Sequence, residues 1–263
     1  MNDWYRAGDA LLRDIAGAAP APGEVCAWFL GQVGYVFRSR QTTVMIDPFL
    51  NDLTDDSGAS LRLFAPPFPM DGLCPDYVLC THGHEDHMAL PTLRAIARAG
   101  ERTRFLVPGA CVQALLDEGI PAGRIQPLAA KTPLSLPGLT VLPVQAAHPV
   151  HMKDELGRDT ALCLCLEMDG VRMTHLGDTY LTGQLLNDLT ALPSPDVLFA
   201  PINGGDYFRT AQQITHTAAD KIRRIPRIEQ MRLHTLYVFR NFPHEIRPLL
   251  CKFKDCTCLF GIL

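Results

Sequence analysis

Residues 79–88, with the sequence LCTHGHEDHM, place three histidines and two carboxylates within six positions. The whole chain has nine histidines in 263 residues, so composition does not explain this grouping. His82 and His84 are two positions apart, and in an extended segment both side chains project from the same side and can bind one metal ion. Asp86 and His87 follow as the chain turns, and can face a second ion.

Imidazole and carboxylate are the ligands expected for zinc, manganese or iron rather than for a soft, thiolate-bound metal. The alternative is a polar loop whose histidines cap a helix or lie in water. Three adjacent imidazoles repel one another when protonated and gain little unless something binds them. The pattern therefore favours a metal site, in which Glu85 points towards solvent or supports a ligand.

The flanking sequence places this cluster between a strand and a helix. The segment DYVLCTH is typical of a buried strand, and LPTLRAIARAG has helical periodicity that ends at Gly100. Upstream, residues 24–48 contain two apolar runs separated by RSRQ, which predict a hairpin.

Further strands are predicted at RFLVPG, LTVLPVQA, TALCLCLEM, VRMTHLGD and VLFAPING, with a helix at ACVQALLDEG. Three of the predicted strands end in polar residues, at His82, Asp178 and Asn203. In a layered α/β protein, ligands usually collect at the ends of strands.

The segment THGHEDH matches the HxHxDH signature of the metallo-β-lactamase fold. The segments CAWFLGQVGYVFR, MIDPFL, GIPAGRI and LGDTYLTG resemble, more narrowly, the L-ascorbate-6-phosphate lactonase-like branch of that fold. The resemblance extends from about Cys26 to Thr210. It implies an α/β protein with the metallo-β-lactamase-like four-layer αβ/βα sandwich.

The resemblance also implies a ligand set. His82, His84 and His148 would bind a first metal ion, Asp86 and His87 a second, and Asp178 would bridge the two. Asp86 and Asp178 would be the catalytic carboxylates. Taken alone, His148 would more often be a structural histidine, with His151 competing for its role, and Asp178 would be an ordinary turn residue.

One or two divalent ions, Zn or Mn in the first instance, would lower the pKa of bound water from about 15.7 towards 7 and give hydroxide at neutral pH. Hydrolysis is then the natural reaction, and the resembling branch implies a sugar lactone or a phosphorylated small molecule as substrate. Four residues after the last predicted strand are predicted to form a polar rim that contacts the substrate: Asn203, Asp206, Tyr207 and Arg209. The equal alternative is that they belong to a solvated surface loop.

Two other functions remain open at this stage. One is a phosphodiesterase of the same fold, which the acidic character of the chain disfavours because phosphate contacts need Lys and Arg. The other is a relative that binds metal or a partner without turnover.

The net charge of −4, with 47% hydrophobic and 20% charged residues, indicates a globular protein without a basic field for nucleic acid. No secretory signal or membrane span is predicted. Nine cysteines at irregular spacing favour reduced thiols and a cytoplasmic location. The sequence leaves homo-oligomerisation open.

The composition changes near the end, so we predict a hydrolase domain over residues 1–215 and an atypical segment over residues 216–263. The segment carries nine basic and four acidic residues, a charge of +5 against −9 for the rest. It could represent real divergence or an altered reading frame.

The resembling family needs one more histidine near this end, and the candidates are His216, His234 and His244. His234 is the best of them, but a charged stretch broken by Pro226 precedes it, where a buried strand is required. The sequence therefore predicts an intact first metal site, a weak or incomplete second site and low activity.

Overall fold

The computed structural model describes residues 6–54, 57–58, 60, 62 and 65–200, together with the backbone of Cys251–Lys252. Within these residues the strands form two sheets. The first sheet has the strand order β12-β1-β2-β3-β4-β5-β6 and consists of β1 Cys26–Gly31, β2 Gly34–Arg38, β3 Thr43–Ile46, β4 Tyr77–Leu79, β5 Arg104–Pro108, β6 Ile125–Leu128 and β12 Cys251–Lys252.

The second sheet has the order β11-β10-β9-β8-β7 and consists of β7 Leu134–Leu136, β8 Leu139–Gln145, β9 Leu162–Met168, β10 Val171–His175 and β11 Val197–Phe199. Four helices accompany the sheets in the described part: α1 Gly8–Gly17, α2 Leu90–Ala99, α3 Val112–Asp117 and α4 Gly183–Thr190. Short 3-10 turns at Gly109–Cys111 and Ala122–Arg124 precede α3 and β6.

The core is layered because apolar side chains alternate between the two faces of the strands. In β1, Ala27 and Phe29 join the apolar core shared by the two sheets, while Trp28 and Leu30 join the core that the first sheet forms with helices α1, α2 and α3. Successive side chains of a strand point to opposite faces, so both faces of this strand are buried. A third core packs α4, through Leu185, against the second sheet.

The resulting order is helices, sheet, sheet, helix, which confirms the predicted α/β metallo-β-lactamase-like sandwich for the described part of the chain. The strands and helices predicted around the histidine cluster are also confirmed. One prediction was wrong: the first apolar run is two strands, because the chain turns at residues 32–33 between β1 and β2. The flanking apolar residues hid this turn from the sequence pattern.

Strand direction brings the polar strand ends together. Strands β3, β4 and β5 are parallel, and in the second sheet β8 and β10 both run antiparallel to β9 and therefore point the same way. An isolated bridge between His82 and Ala161, and a bond from the Leu162 amide to the Thr81 carbonyl, join the two sheets at this edge.

No helix within the described residues is long and apolar enough to cross a membrane. Five of the described cysteines are free thiols: Cys74, Cys80, Cys111, Cys163 and Cys165. Of these, Cys163 and Cys165 belong to the same layer between the second sheet and α4.

Candidate metal centre

Three strand ends supply the side chains of this site. The loop after β4 carries His82, His84 and His87, the segment after β8 carries His148, and the turn after β10 carries Asp178. Gly177 has φ +59°, and a Cβ there would lie 2.8 Å from Cβ of Thr81. Glycine is therefore needed for the end of β10 to approach the histidine loop this closely.

His82, His84 and His148 form the first ligand group. One nitrogen from each ring lies within 4.8 Å of the other two. Nδ1 of His84 and Nε2 of His148 are 3.1 Å apart. Two nitrogens on a tetrahedral ion with bonds of about 2.0–2.1 Å would be about 3.4 Å apart, so the rings stand close to a ligating arrangement.

The buried ring of His82 presents one nitrogen without a partner. Thr81 Oγ1 donates its single proton to Oδ2 of Asp47 at 2.7 Å, so it accepts from Nδ1 of His82 at 3.1 Å. This tautomer leaves a lone pair on His82 Nε2, which is buried and has no hydrogen-bond partner. A buried polar atom without a partner is costly, and a cation at this point would satisfy it.

His82, His87 and Asp178 form a second ligand group, again with ligand atoms within 4.8 Å of one another. Nε2 of His87 lies 3.5 Å from Oδ2 of Asp178 and 3.7 Å from Oδ2 of Asp86. His82 thus belongs to both groups, whereas Asp86 borders the second group through His87.

Asp47 is a functional residue that sequence reasoning did not assign. It is fully buried at the end of β3, and its Oδ2 accepts from Nδ1 of His87 at 2.7 Å. Its Oδ1 accepts from the Thr81 amide at 2.8 Å. A carboxylate that holds the outer nitrogen of a histidine fixes the ring and directs the other nitrogen towards the ligand position. Asp47 therefore orients His87 directly and His82 through Thr81.

The charges of the site follow from these contacts. Burial alone would lower the pKa of His87, but the charge of Asp47 and hydrogen bonds with Asp178 and Asp47 raise it to about 10. Burial would raise the pKa of Asp178, but its hydrogen bond with His87 lowers it to about 2. Burial and the charge of His87 lower the pKa of His82 to about 3. At neutral pH the site holds a neutral His82 and an ionised Asp178.

Three further polar residues, His151, His175 and Glu85, lie outside the two groups. Nε2 of His151 contacts Thr182 Oγ1 at 2.7 Å, so of the two competing histidines it is His148 that joins the first group. His175 is buried in β10, donates from Nε2 to the Val33 carbonyl and accepts from the Gly177 amide, which is a structural role. Glu85 is exposed.

Several predicted residues lie outside the described residues: Asn203, Asp206, Tyr207, Arg209 and His234, with the alternatives His216 and His244. The atypical segment 216–263 likewise lies outside them, apart from the backbone of Cys251–Lys252, which pairs with β1.

The described donor atoms fit one or two divalent ions. They are imidazole nitrogens and carboxylate oxygens with no thiolate, they converge from two sheets, and one of them is a buried nitrogen without a partner. This set suits zinc, manganese or iron.

A family model described as a beta-lactamase superfamily domain matches residues 42–234. The chain therefore belongs to the beta-lactamase superfamily. A curated relative, the UPF0173 metal-dependent hydrolase of Methanoregula boonei, is 32% identical over 157 residues, which cover 58% of this chain and 65% of that protein. The chain thus spans somewhat less than two thirds of the length of this relative.

A second relative has a different activity in its name. The 4-amino-L-phenylalanyl-[CmlP-peptidyl-carrier-protein] 3-hydroxylase of Streptomyces venezuelae is 34% identical over 110 residues, which cover 40% of this chain and 20% of that protein. Among solved structures, a possible metal-dependent hydrolase from Veillonella parvula has a TM-score of 0.59 at 18% identity and covers 81% of this chain and 85% of its own. That likeness concerns the fold alone.

Proposed function

We propose that this protein is a metal-dependent hydrolase that uses one or two divalent ions, Zn or Mn in the first instance, between the ends of its two sheets. The observation that carries the proposal is the buried, partnerless Nε2 of His82, which belongs to both ligand groups. The metal-dependent hydrolases among the relatives support it.

A divalent ion bound here would supply a hydroxide nucleophile near neutral pH and Lewis acidity for the electrophilic oxygen of the substrate. The protein's own residues have separate tasks. His82, His84 and His148 would present imidazole nitrogens as ligands. Asp178, whose pKa of about 2 keeps it ionised, would accept a hydrogen bond from the attacking water through its carboxylate and so fix the direction of attack. The second predicted catalytic carboxylate, Asp86, has its Oδ2 3.7 Å from Nε2 of His87.

For the substrate we propose a small molecule with a hydrolysable carbonyl or phosphoryl centre, such as a sugar lactone or a phosphorylated small molecule. The resemblance to the L-ascorbate-6-phosphate lactonase-like branch supports this class. The predicted rim of Asn203, Asp206, Tyr207 and Arg209 would contact it, with the guanidinium suited to a carboxylate or phosphate. The free thiols of Cys74, Cys80, Cys111, Cys163 and Cys165 support a cytoplasmic location.

An oxidative function is the second candidate, because the relative with the higher identity is a hydroxylase and the same ligand types also bind iron. The two candidates differ in what they consume. Hydrolysis needs only water, whereas hydroxylation consumes O₂ and reducing electrons.

The test is to purify the protein, measure its content of Zn, Mn and Fe, and assay it on lactone and phosphodiester panels with and without a chelator. We expect hydrolysis that a chelator abolishes and that Zn²⁺ or Mn²⁺ restores. His84→Ala is the matched variant, which should lose the ion of the first ligand group and, with it, turnover. If the protein contains iron, takes up O₂ and shows no hydrolysis, the oxidative function is supported instead. If it binds no metal and shows no turnover, both proposed functions are wrong.

A further inference from the structure

The turn between β1 and β2 contains a residue in an unfavourable conformation. Gln32 is the first central residue of this turn and has φ +53°, in the left-handed region that costs a non-glycine residue about 1–2 kcal/mol. Glycine is the residue that adopts this conformation without strain. The turn is also packed closely on the site, since a Cβ at Gly34 would lie 2.8 Å from the backbone oxygen of Asp47.

The side chain of Gln32 gives a reason for the strain. Although exposed, it reaches across to the histidine loop, and its Nε2 donates to Oδ2 of Asp86 at 3.2 Å. The same oxygen of Asp86 lies 3.7 Å from Nε2 of His87. Gln32 thus contacts Asp86 on the oxygen that faces the second ligand group.

Asp86 is held differently from the neighbouring ligands. His87 is fixed by Asp47, and His82 is fixed through Thr81, whereas the Asp86 side chain is 35% exposed. A carboxylate on a surface loop can adopt several rotamers, and each rotamer lost on metal binding lowers affinity.

We propose that Gln32 is a positioning residue that orients the carboxylate of Asp86 for a metal ion in the second ligand group. The inference rests on the proposed metal centre and goes beyond it, because it assigns a role to a residue that is not itself a ligand. Position 32 has a backbone conformation that favours glycine, yet it carries glutamine. The reason is that only the longer side chain brings an amide group within reach of Asp86.

Two substitutions separate positioning from turn structure. Gln32→Met keeps the length and the strained backbone but removes the donor, whereas Gln32→Gly removes both the donor and the strain. We expect both variants to bind the second equivalent of Co²⁺ roughly 10- to 100-fold more weakly, the usual effect of removing an outer partner of a ligand. Only Gln32→Gly should match or exceed the wild-type melting temperature in the metal-free state.

Lys131→Gly is the matched control. Lys131 also has a positive φ, +62°, and lies outside both ligand groups. It should retain Co²⁺ affinity, so a change at Gln32 alone cannot be a general effect of turn substitutions.

The measurement is a Co²⁺ titration of the metal-free protein, followed by visible absorption and by competition with a chelator. The spectrum of the second Co²⁺ should change in both Gln32 variants, since it reports the ligand geometry. Wild-type affinity and spectra in both variants would overturn the proposal, as would a wild-type protein that takes up only one Co²⁺. Because the readout is metal binding, a failed search for substrate leaves this test intact.

Discussion

The two ligand groups share His82 but are built in different ways. In the first group, His84 is exposed and His148 half-buried, and their nitrogens contact each other at 3.1 Å. In the second group, His87 is buried and its outer nitrogen is bound to the fully buried Asp47. The geometry of the first group is therefore set by the positions of two loops. The geometry of the second group is set by a buried hydrogen-bond network.

This difference bears on the predicted weakness of the second metal site. Within the described residues, the second ligand group is held in place more firmly than the first. A buried charged hydrogen bond, such as that between His87 and Asp47, resists rearrangement more than an exposed loop does. The expectation of a weak second site therefore rests on His234 alone, and it stays a prediction.

The largest effect is expected from Asp178→Ala. Removing the carboxylate that would orient the attacking water should lower turnover roughly 10²- to 10⁴-fold, because Asp178 would no longer hold the nucleophile in line. The first ligand group is untouched, so one ion should remain. Steady-state kinetics and metal analysis on one preparation measure the turnover and the number of bound ions. Wild-type turnover would refute the role of Asp178.

His148→Ala should empty the first group while leaving the second. With two imidazoles left in that group, we expect the corresponding ion to be lost on dialysis and the loss to appear in metal analysis. His151→Ala is the control, since His151 is three residues away and contacts Thr182 instead. Equal metal loss in both variants would mean that the local structure of residues 147–151, which an antiparallel bridge between Ala147 and His151 closes, had been disturbed rather than the His148 ligand alone.

Asp47→Asn should affect the second group more than the first. Asparagine has nearly the same shape and tolerates the positive φ of +43° at this position, but it is uncharged. Because the substitution also lowers the pKa of His87 and so relieves competition by the proton, the affinities are compared as pH-independent binding constants. On that basis we expect roughly 10- to 100-fold weaker binding of the second ion, with the fold preserved in circular dichroism. If the variant instead lost metal affinity selectively at the first group, Asp47 would support the first group and not the second.

Binding at the second group should release close to one proton. In the metal-free protein the pKa of His87 is raised to about 10, so at pH 7.5 its ring is protonated, and a ligating Nε2 must give that proton up. Affinity should then rise about tenfold per pH unit between pH 6 and 9. Calorimetry in buffers of different ionisation enthalpy measures the proton directly, and Asp47→Asn should reduce the release because the pKa of His87 falls without the carboxylate.

The smallest effect is expected from His234→Ala. If the second site is incomplete as the sequence predicts, this substitution should leave metal content and turnover near wild-type values. A protein that holds two ions per chain, and loses one in this variant, would instead establish an ordinary two-metal centre with His234 as a ligand.

The histidine cluster and its flanking elements could be predicted from the sequence because their signals are local. His82 and His84 follow a short apolar strand directly, and the helix after them has a clear period ended by Gly100. His148 and Asp178 were harder, since each is a single polar residue after a strand. Only the resemblance to a family selected them from the other histidines and aspartates.

Asp47 and Gln32 could not be predicted in the same way. An aspartate followed by proline after a strand is typical of a turn, and nothing in the local pattern indicates that its side chain is buried against His87, 40 positions away. Gln32 lies inside what reads as one continuous apolar run. Both roles arise from contacts between distant parts of the chain, which periodicity does not report.

The position of the site across the seam between the sheets has a mechanical consequence. His82, His84 and His87 belong to the first sheet's loop, and His148 and Asp178 to the second sheet's strand ends. An ion held by both would act as a cross-link between the two halves of the sandwich and stabilise the folded state by its binding free energy. Chelation should therefore speed amide hydrogen exchange first where the sheets meet, at the Leu162 amide that bonds to Thr81, before it reaches the layers further from the seam.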